Sequence, residues 1–310
     1  MSSTKLRAYS SALLVGTALA LAGQAHAADA IVGDEVPPAP VELFERSILI
    51  GAGGGFQPRY EGSDEYRGFG FPIISYDSGV DGPRRFEFRG LDDIRYHAFR
   101  WNGFSVGPLG GYRFSRDESD SQRLRGLGDI DGGLVLGGFA SYEFFQSNTV
   151  RWSADVGVST QVTGDAFDIG RFANVALPVN VRNGLSDGDY GYEIDFGLSG
   201  EYDVNDRLNL AMRLGAVYAS DDYMQTYFGV NSAQAIAATA AGNPMTTFDA
   251  DAGIKNVYFK IDTTYELTEN IQLRAGFGYS RLLSDAADSP VTESEDQFSG
   301  TLGAAYRIRF

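Results

Sequence analysis

Two histidines, His26 and His97, are all the chain offers for base catalysis near neutral pH. A serine hydrolase or acyltransferase needs a histidine beside its nucleophile and a third group to orient the ring. His26 lies in an N-terminal segment read below as a removable leader. That leaves His97, within Arg95-Tyr-His-Ala-Phe-Arg-Trp101, and the sequence marks no serine or carboxylate as its partner. The expected role is therefore a structural histidine of the interior or an interface. With no cysteine and one remaining histidine, a normal zinc site cannot be assembled. Carboxylates are plentiful: Asp117, Glu118 and Asp120; Asp129 and Asp131; Asp221 and Asp222; Glu293, Glu295 and Asp296. Gly128-Asp-Ile-Asp-Gly132 has a loose likeness to a calcium loop but lacks the twelve-residue ligand pattern. These groups read as solvated loop charge, and no catalytic, cofactor-binding or metal residue is assigned.

What positions such side chains is best seen in the last stretch, Phe298 to Phe310. Phe298, Gly300, Leu302, Ala304, Tyr306, Ile308 and Phe310 alternate with Ser299, Thr301, Gly303, Ala305, Arg307 and Arg309. Period-two alternation marks a strand with two unlike faces. Ending on that strand's own aromatic residue, it resembles the terminal strand of bacterial outer-membrane barrels.

At the other end, Lys5 and Arg7 precede an uncharged apolar run from Ala12 to Ala22, then Ala25-His26-Ala27. This is the pattern of a secretory signal peptide cleaved near Ala27, its run too short to span a bilayer as a helix. Residues 28–45, acidic and bearing Pro37, Pro38 and Pro40, read as a flexible periplasmic tail, and residues 46–310 as the barrel. No later segment supplies a transmembrane helix. The net charge is -16 for the whole chain and -18 once the two basic leader residues are removed. So acidic a chain is not built to hold nucleic acid. Gly at 39, Tyr at 17 and Phe at 21 suit a β-protein with aromatic girdles.

Strands are expected over about 46–57, 68–77, 84–91, 94–101, 104–115, 132–146, 150–159, 189–203, 208–216, 257–265, 271–279 and 298–310. Asn102-Gly103, Ser147-Asn148, Asp203–Asp206 and Thr268–Asn270 make short connections; 58–67, 116–131, 164–188, 221–253 and 284–295 make long ones. The alternation fits short periplasmic turns and longer external loops, provided residues 171–182 belong to an external loop. The expected fold is all-β: a transmembrane antiparallel up-and-down barrel of about twelve strands, closed by the strand ending in Phe310. The count falls to ten if the weak third and fourth strands fail. On the lumen face Arg113, Arg151, Asp155, Glu193, Asp195, Arg213, Lys260, Asp262, Arg274 and Arg307 mix both signs. Selective pores present patches of one sign, so mixed signs should pair across the interior and fill it.

Three motifs are less generic. They are Tyr60-Glu-Gly-Ser-Asp-Glu-Tyr-Arg67 before Phe71-Pro-Ile-Ile-Ser-Tyr76; Gly103-Phe-Ser-Val-Gly-Pro108 through Gly111-Tyr-Arg-Phe114 to Arg116-Asp-Glu-Ser-Asp-Ser121 and Gly126-Leu-Gly-Asp-Ile-Asp131; and Tyr218-Ala-Ser-Asp-Asp-Tyr-Met-Gln-Thr-Tyr-Phe-Gly-Val230. In this order they resemble the MipA/OmpV family of outer-membrane proteins. The resemblance implies a cell outer membrane barrel without catalytic residues or cofactors. Its surroundings would be outer-membrane lipid and lipopolysaccharide. The implied role is a scaffold for a lytic murein transglycosylase and a bifunctional murein synthase; a narrow small-solute channel or a surface-adhesion protein are the alternatives. The motifs themselves fall on the external side, where Tyr60, Tyr66, Tyr223 and Tyr227 are expected as buried anchors of the barrel mouth. The partner-binding surface is then expected among the short turns and the tail.

Overall fold

A computed structural model of the chain describes residues 46–77, 86–163 and 190–310. The expected leader, the expected tail and residues 171–182 lie outside the described residues. Thirteen strands form one antiparallel sheet: β1 (Ser47–Pro58), β2 (Tyr66–Asp77), β3 (Phe86–Phe88), β4 (Ile94–Tyr96), β5 (Phe99–Trp101), β6 (Phe104–Arg113), β7 (Gly133–Gln146), β8 (Val150–Gln161), β9 (Tyr192–Asn205), β10 (Leu208–Ala219), β11 (Gly253–Glu266), β12 (Ile271–Leu282) and β13 (Asp296–Arg309). Their order is β2-β1-β13-β12-β11-β10-β9-β8-β7-β6-β4-β3, which is sequence order taken round a ring with a seam between β2 and β3. Among the described residues no ladder joins those two strands. The first and last strands pair along their length, from Ser47 opposite Arg309 to Phe56 opposite Gly300, as the alternation of the final stretch led one to expect.

The faces are inverted relative to a water-soluble sheet. Phe298, Leu302, Tyr306 and Ile308 of β13 are exposed, as are Phe196, Leu198 and Tyr202 of β9 and Met212 and Leu214 of β10. Asp155, Arg95 and Lys255 are buried. Apolar residues facing out and charged residues facing in is the arrangement of a barrel whose outer solvent is lipid.

Twelve strands become thirteen because the expected fourth strand is split. Arg95 stands opposite Leu109, but Phe99 stands opposite Val106, so one extra residue sits on the 96–98 side of the ladder. A one-residue bulge reverses which face the following side chains take. Arg95 is therefore buried while Phe99 and Trp101, of the same parity, face outward. Without the bulge all would share one face, and the broken alternation is what made this strand look weak. The strand expected from Asp189 begins instead at Tyr192, after Gly191 turns at φ +61°.

Short connections (102–103, 147–149, 206–207 and 267–270) gather at one end of the sheet, long ones (59–65, 114–132, 220–252 and 283–295) at the other. Asn102 and Gly103 both take positive φ, the geometry that suits a tight hairpin. The expected parity of turns and loops holds wherever residues are described.

The long loops form a packed cap. Residues 220–252, expected only as loop, carry two helices, α1 (Asp221–Phe228) and α2 (Ser232–Ala240); a short helix α3 (Ser284–Asp288) follows β12. Asn231 and Gln234 close a reciprocal capping box at the start of α2. One apolar cluster joins Tyr60, Leu124, Leu127, Val230, Ala238, Met245 and Val291, drawn from four loops. A second joins Ala219, Tyr223, Met224, Phe228, Ala250, Leu282 and Ala286. Each fully buried large side chain contributes about 1.5–3 kcal/mol, so these loops hold one shape together. Gly126 shows how tight the contact is: it takes φ +82°, and a Cβ there would lie 2.5 Å from the Ala238 backbone.

Candidate functional site

The candidate site is the lumen and the roof over it. Asp155 of β8 is the hub. Its carboxylate accepts from Arg89 Nη1 at 2.5 Å, Arg95 Nη1 at 2.7 Å and Arg213 Nη1 at 2.6 Å. Arg95 comes from β4, three places from β8 in the sheet, and Arg213 from β10, two places the other way. Such reach is available only because the sheet curls around its own interior. Arg213 also pairs with Asp195, whose other oxygen accepts from the Tyr258 hydroxyl at 2.6 Å. Arg95 is further held by Asp93 at 2.8 Å. Room for these arginines comes from two lumen glycines: a Cβ at Gly197 would lie 2.1 Å from the Arg213 guanidinium, and one at Gly157 would lie 3.0 Å from that of Arg95.

Nearer the cap is a second layer. Lys255 Nζ donates to Glu193 at 2.6 Å and lies 2.9 Å from Glu61 Oε1 in the β1–β2 loop. Arg113 pairs with Glu193 as well. Helix α1 closes this layer from above. Tyr223 and Tyr227, one turn apart, stack at 4.5 Å and present their rings to Arg113 and Lys255, at 5.2 Å and 4.7 Å from the Tyr223 centroid. Met224 and Phe228, on the adjoining face of the helix, enter the same cap cluster as Tyr223. Burial pushes the Tyr223 phenol well above its ordinary range, so it stays neutral, its hydroxyl accepting from Lys255 Nζ at 3.2 Å.

Of the expected lumen residues, Arg113, Asp155, Glu193, Asp195 and Arg213 do pair across the interior, and Arg307 reaches Glu266 at 2.7 Å. Arg151 instead pairs with Glu201 on the adjacent strand at 2.5 Å. Lys260 and Asp262 are exposed, so the lumen is open to solvent on the short-turn side of the crossing layer. Of the four expected anchors, Tyr60 and Tyr223 are buried and Tyr227 is half-buried. Tyr66 is not: it starts β2 on the outer face, 39% exposed, with its ring against Phe56. Lys255 escaped the period-two reading for the same reason as Arg95. A bulge opposite Val217 and Tyr218 turns it inward although it shares parity with the outward-facing Val257. Arg89 and Arg95 carried no sequence signal beyond their charge, and Glu61 was marked only as part of the Tyr60–Arg67 motif.

His97 has closer partners than its surroundings suggested. Its Nδ1 lies 2.5 Å from Ser105 Oγ and its Nε2 lies 3.2 Å from Glu87 Oε2. Glu87 is also held by Arg89 at 2.7 Å, and Ser105 lies within the ladders to β5 and β7. The ring nitrogen toward serine is Nδ1, and the carboxylate is shared with a guanidinium. The chain of contacts ties β3 to β6 at the bulge.

A model of the family described as MltA-interacting protein MipA matches residues 50–308. Outer membrane protein OmpV of Vibrio cholerae is 28% identical over 226 residues, covering 70% of this chain and 77% of that protein. Outer membrane protein Omp26La of Vibrio anguillarum is 27% identical over 229 residues, covering 71% and 79%. Among solved structures, a NanC porin overlaps 84% of this chain and 100% of its own at TM-score 0.40 and 9% identity. An outer membrane channel from Pseudomonas putida overlaps 90% and 100% at TM-score 0.39 and 12% identity. With its inverted strand faces and a family match running from β1 to β13, the chain is an outer-membrane protein and belongs to the MltA-interacting protein MipA family.

Proposed function

We propose that this protein is a non-catalytic outer-membrane scaffold, sealed toward the exterior, whose short-turn end docks periplasmic murein enzymes. The observation that carries the reading is the double closure of the lumen. Ion pairs cross it at Asp155, and α1 roofs it through Tyr223 and Tyr227. A sealed barrel offers the cell a fixed surface rather than a route. The name of the matched family supplies one partner, MltA; the resemblance noted in the sequence implies that this is a lytic murein transglycosylase, with a bifunctional murein synthase beside it. Murein lies on the periplasmic side, where the short turns face. A narrow channel is the second reading, supported by the solvent-exposed Lys260 and Asp262 within the lumen. It requires the Asp155 layer to part.

Photo-crosslinkers placed in living cells at Asn148 and Asn205, in the short turns, should capture a murein hydrolase or synthase. One at Ser119, in the cap, should not. Adducts confined to Ser119, or none at the turns of a correctly assembled barrel, would contradict the scaffold reading.

A further inference from the structure

Two lumen charges stand outside both crossing layers. Lys260 and Asp262 follow Tyr258 on the inward face of β11, two and four residues nearer the short-turn end. Both are exposed to the solvent of that end, and among the described residues neither forms an ion pair or a side-chain hydrogen bond. The Lys260 ammonium has beside it the Tyr258 ring, at 5.4 Å from the centroid, and the cross-strand Arg213, a like charge already engaged by Asp155 and Asp195. The wall next to them is cut back. Asp262 stands between Ala211 of β10 and Gly276 of β12, and Lys260 between Arg213 and Gly278. Thr301 and Ser299 of β13 come next along the same two rungs. A Cβ at Gly276 would lie 2.7 Å from Asp262 Oδ1 and 2.6 Å from Thr301 Oγ1, so a carboxylate and a hydroxyl converge on the place the missing side chain leaves. A Cβ at Gly278 would lie 2.5 Å from Ser299 Oγ and 3.8 Å from Lys260 Cγ. Farther toward the turn, Glu266 is 5% exposed; Gln272 and Arg307 hold its Oε1, and its Oε2 has no partner. This end of the lumen is thus short of donors and holds one cation ready for an acceptor.

Inward residues two apart on a strand lie about 6.6 Å from each other, so one small molecule spans Lys260 and Asp262. A simple anion at Lys260 would leave Asp262 unmatched and be repelled by it. A simple cation at Asp262 would meet the same opposition from Lys260. A molecule carrying a carboxylate and an ammonium on one short backbone satisfies both, each pole through a charge-assisted hydrogen bond with a hydroxyl beside it. Helix α1 roofs the other end of the lumen, so such a solute enters from the short-turn side.

We propose that the short-turn half of the lumen is a binding cup for a small amino-acid zwitterion, its carboxylate on Lys260 and Ser299 and its ammonium on Asp262 and Thr301. The cup stands whether or not murein enzymes dock at the turns. The full chain, folded in detergent micelles, is titrated with glycine and with L-alanine at constant ionic strength. Acetate and methylammonium, each carrying one of the two charges, serve as half-ligands. Saturation-transfer NMR observed on the ligand is the readout, since it registers weak complexes. At least one of the two amino acids should bind about tenfold or more tightly than either half-ligand. Lys260→Met and Asp262→Asn should each weaken that binding by about tenfold or more. Gly276→Ala should weaken it too, by filling the space between Asp262 and Thr301. Lys260 and Asp262 belong to no ion pair, so both charge variants should keep the electrophoretic mobility of the folded barrel in unheated samples. Arg281→Gln, at a paired rim arginine, should change nothing. The proposal is overturned if neither amino acid binds more tightly than the half-ligands, or if both charge variants bind as the wild type does. Loss at Lys260→Met alone would mean a simple anion site, and loss at Asp262→Asn alone a simple cation site; either overturns the zwitterion. Should Gly276→Ala fail to fold, the two charge variants decide.

Discussion

Asp155→Ala should lower the unfolding free energy by about 3–5 kcal/mol, read from urea unfolding of the barrel refolded into lipid. The size follows from what the substitution leaves behind. Asp155 is buried and accepts from three arginines, of which Arg95 is itself fully buried. Removing the carboxylate leaves three guanidinium groups to the remaining Glu87, Asp93 and Asp195. The desolvation cost of each then stands without its main offset. A rim pair gives the contrast. Arg281 and Glu295 meet at 2.6 Å but are 46% exposed on both sides, so Glu295→Ala should cost about 0–1 kcal/mol. Equal effects at the two sites would mean that the lumen is wet enough to screen its charges. Because Asp155 and Arg95 touch, the double variant with Arg95→Met should recover part of the loss, a coupling that distant sites would not show.

Leu302→Arg should cost about 2–4 kcal/mol, because Leu302 faces lipid at the centre of β13. It is 70% exposed, so a water-soluble sheet would accept arginine there within about 0.5 kcal/mol. The two solvents thus predict opposite outcomes for one substitution. Phe310→Arg, at the interfacial end of the same strand, should cost only about 0–1 kcal/mol. A flat response along β13 would contradict the membrane placement of this face.

How far the sequence disclosed this molecule depended on whether alternation ran unbroken. β9, β10 and β13 were legible because an outward apolar set and an inward polar set never exchange places along them. β4, β5 and the start of β11 were not, since a single bulged residue swaps the faces beyond it. Both bulges turn a cation, Arg95 or Lys255, into the lumen, so period-two reading failed just where the interior network is anchored. The cap was missed for a different reason. Its helices, of eight, nine and five residues, are too short to show a periodic apolar face, and their order comes from packing between loops distant in sequence. One local signal was available: Asn231 followed by Gln234 is a capping-box pattern. The mixed signs of the lumen face disclosed that charges would pair, though not that Asp155 would serve three partners. The expectation for His97 was right about its being interior, while its contact with Glu87 runs through a hairpin whose strand is only three residues long.

The proposed scaffold reading rests on two closures, ion pairs across the barrel and a roof of packed loops. Their most direct test is single-channel recording on the full chain inserted into planar bilayers, with insertion verified by flotation of the same preparation in liposomes. No resolved current steps are expected from the wild type over a wide voltage range. Stable ohmic steps from the inserted wild-type barrel would contradict the scaffold reading, and would show that the Asp155 layer and the α1 roof leave a continuous path.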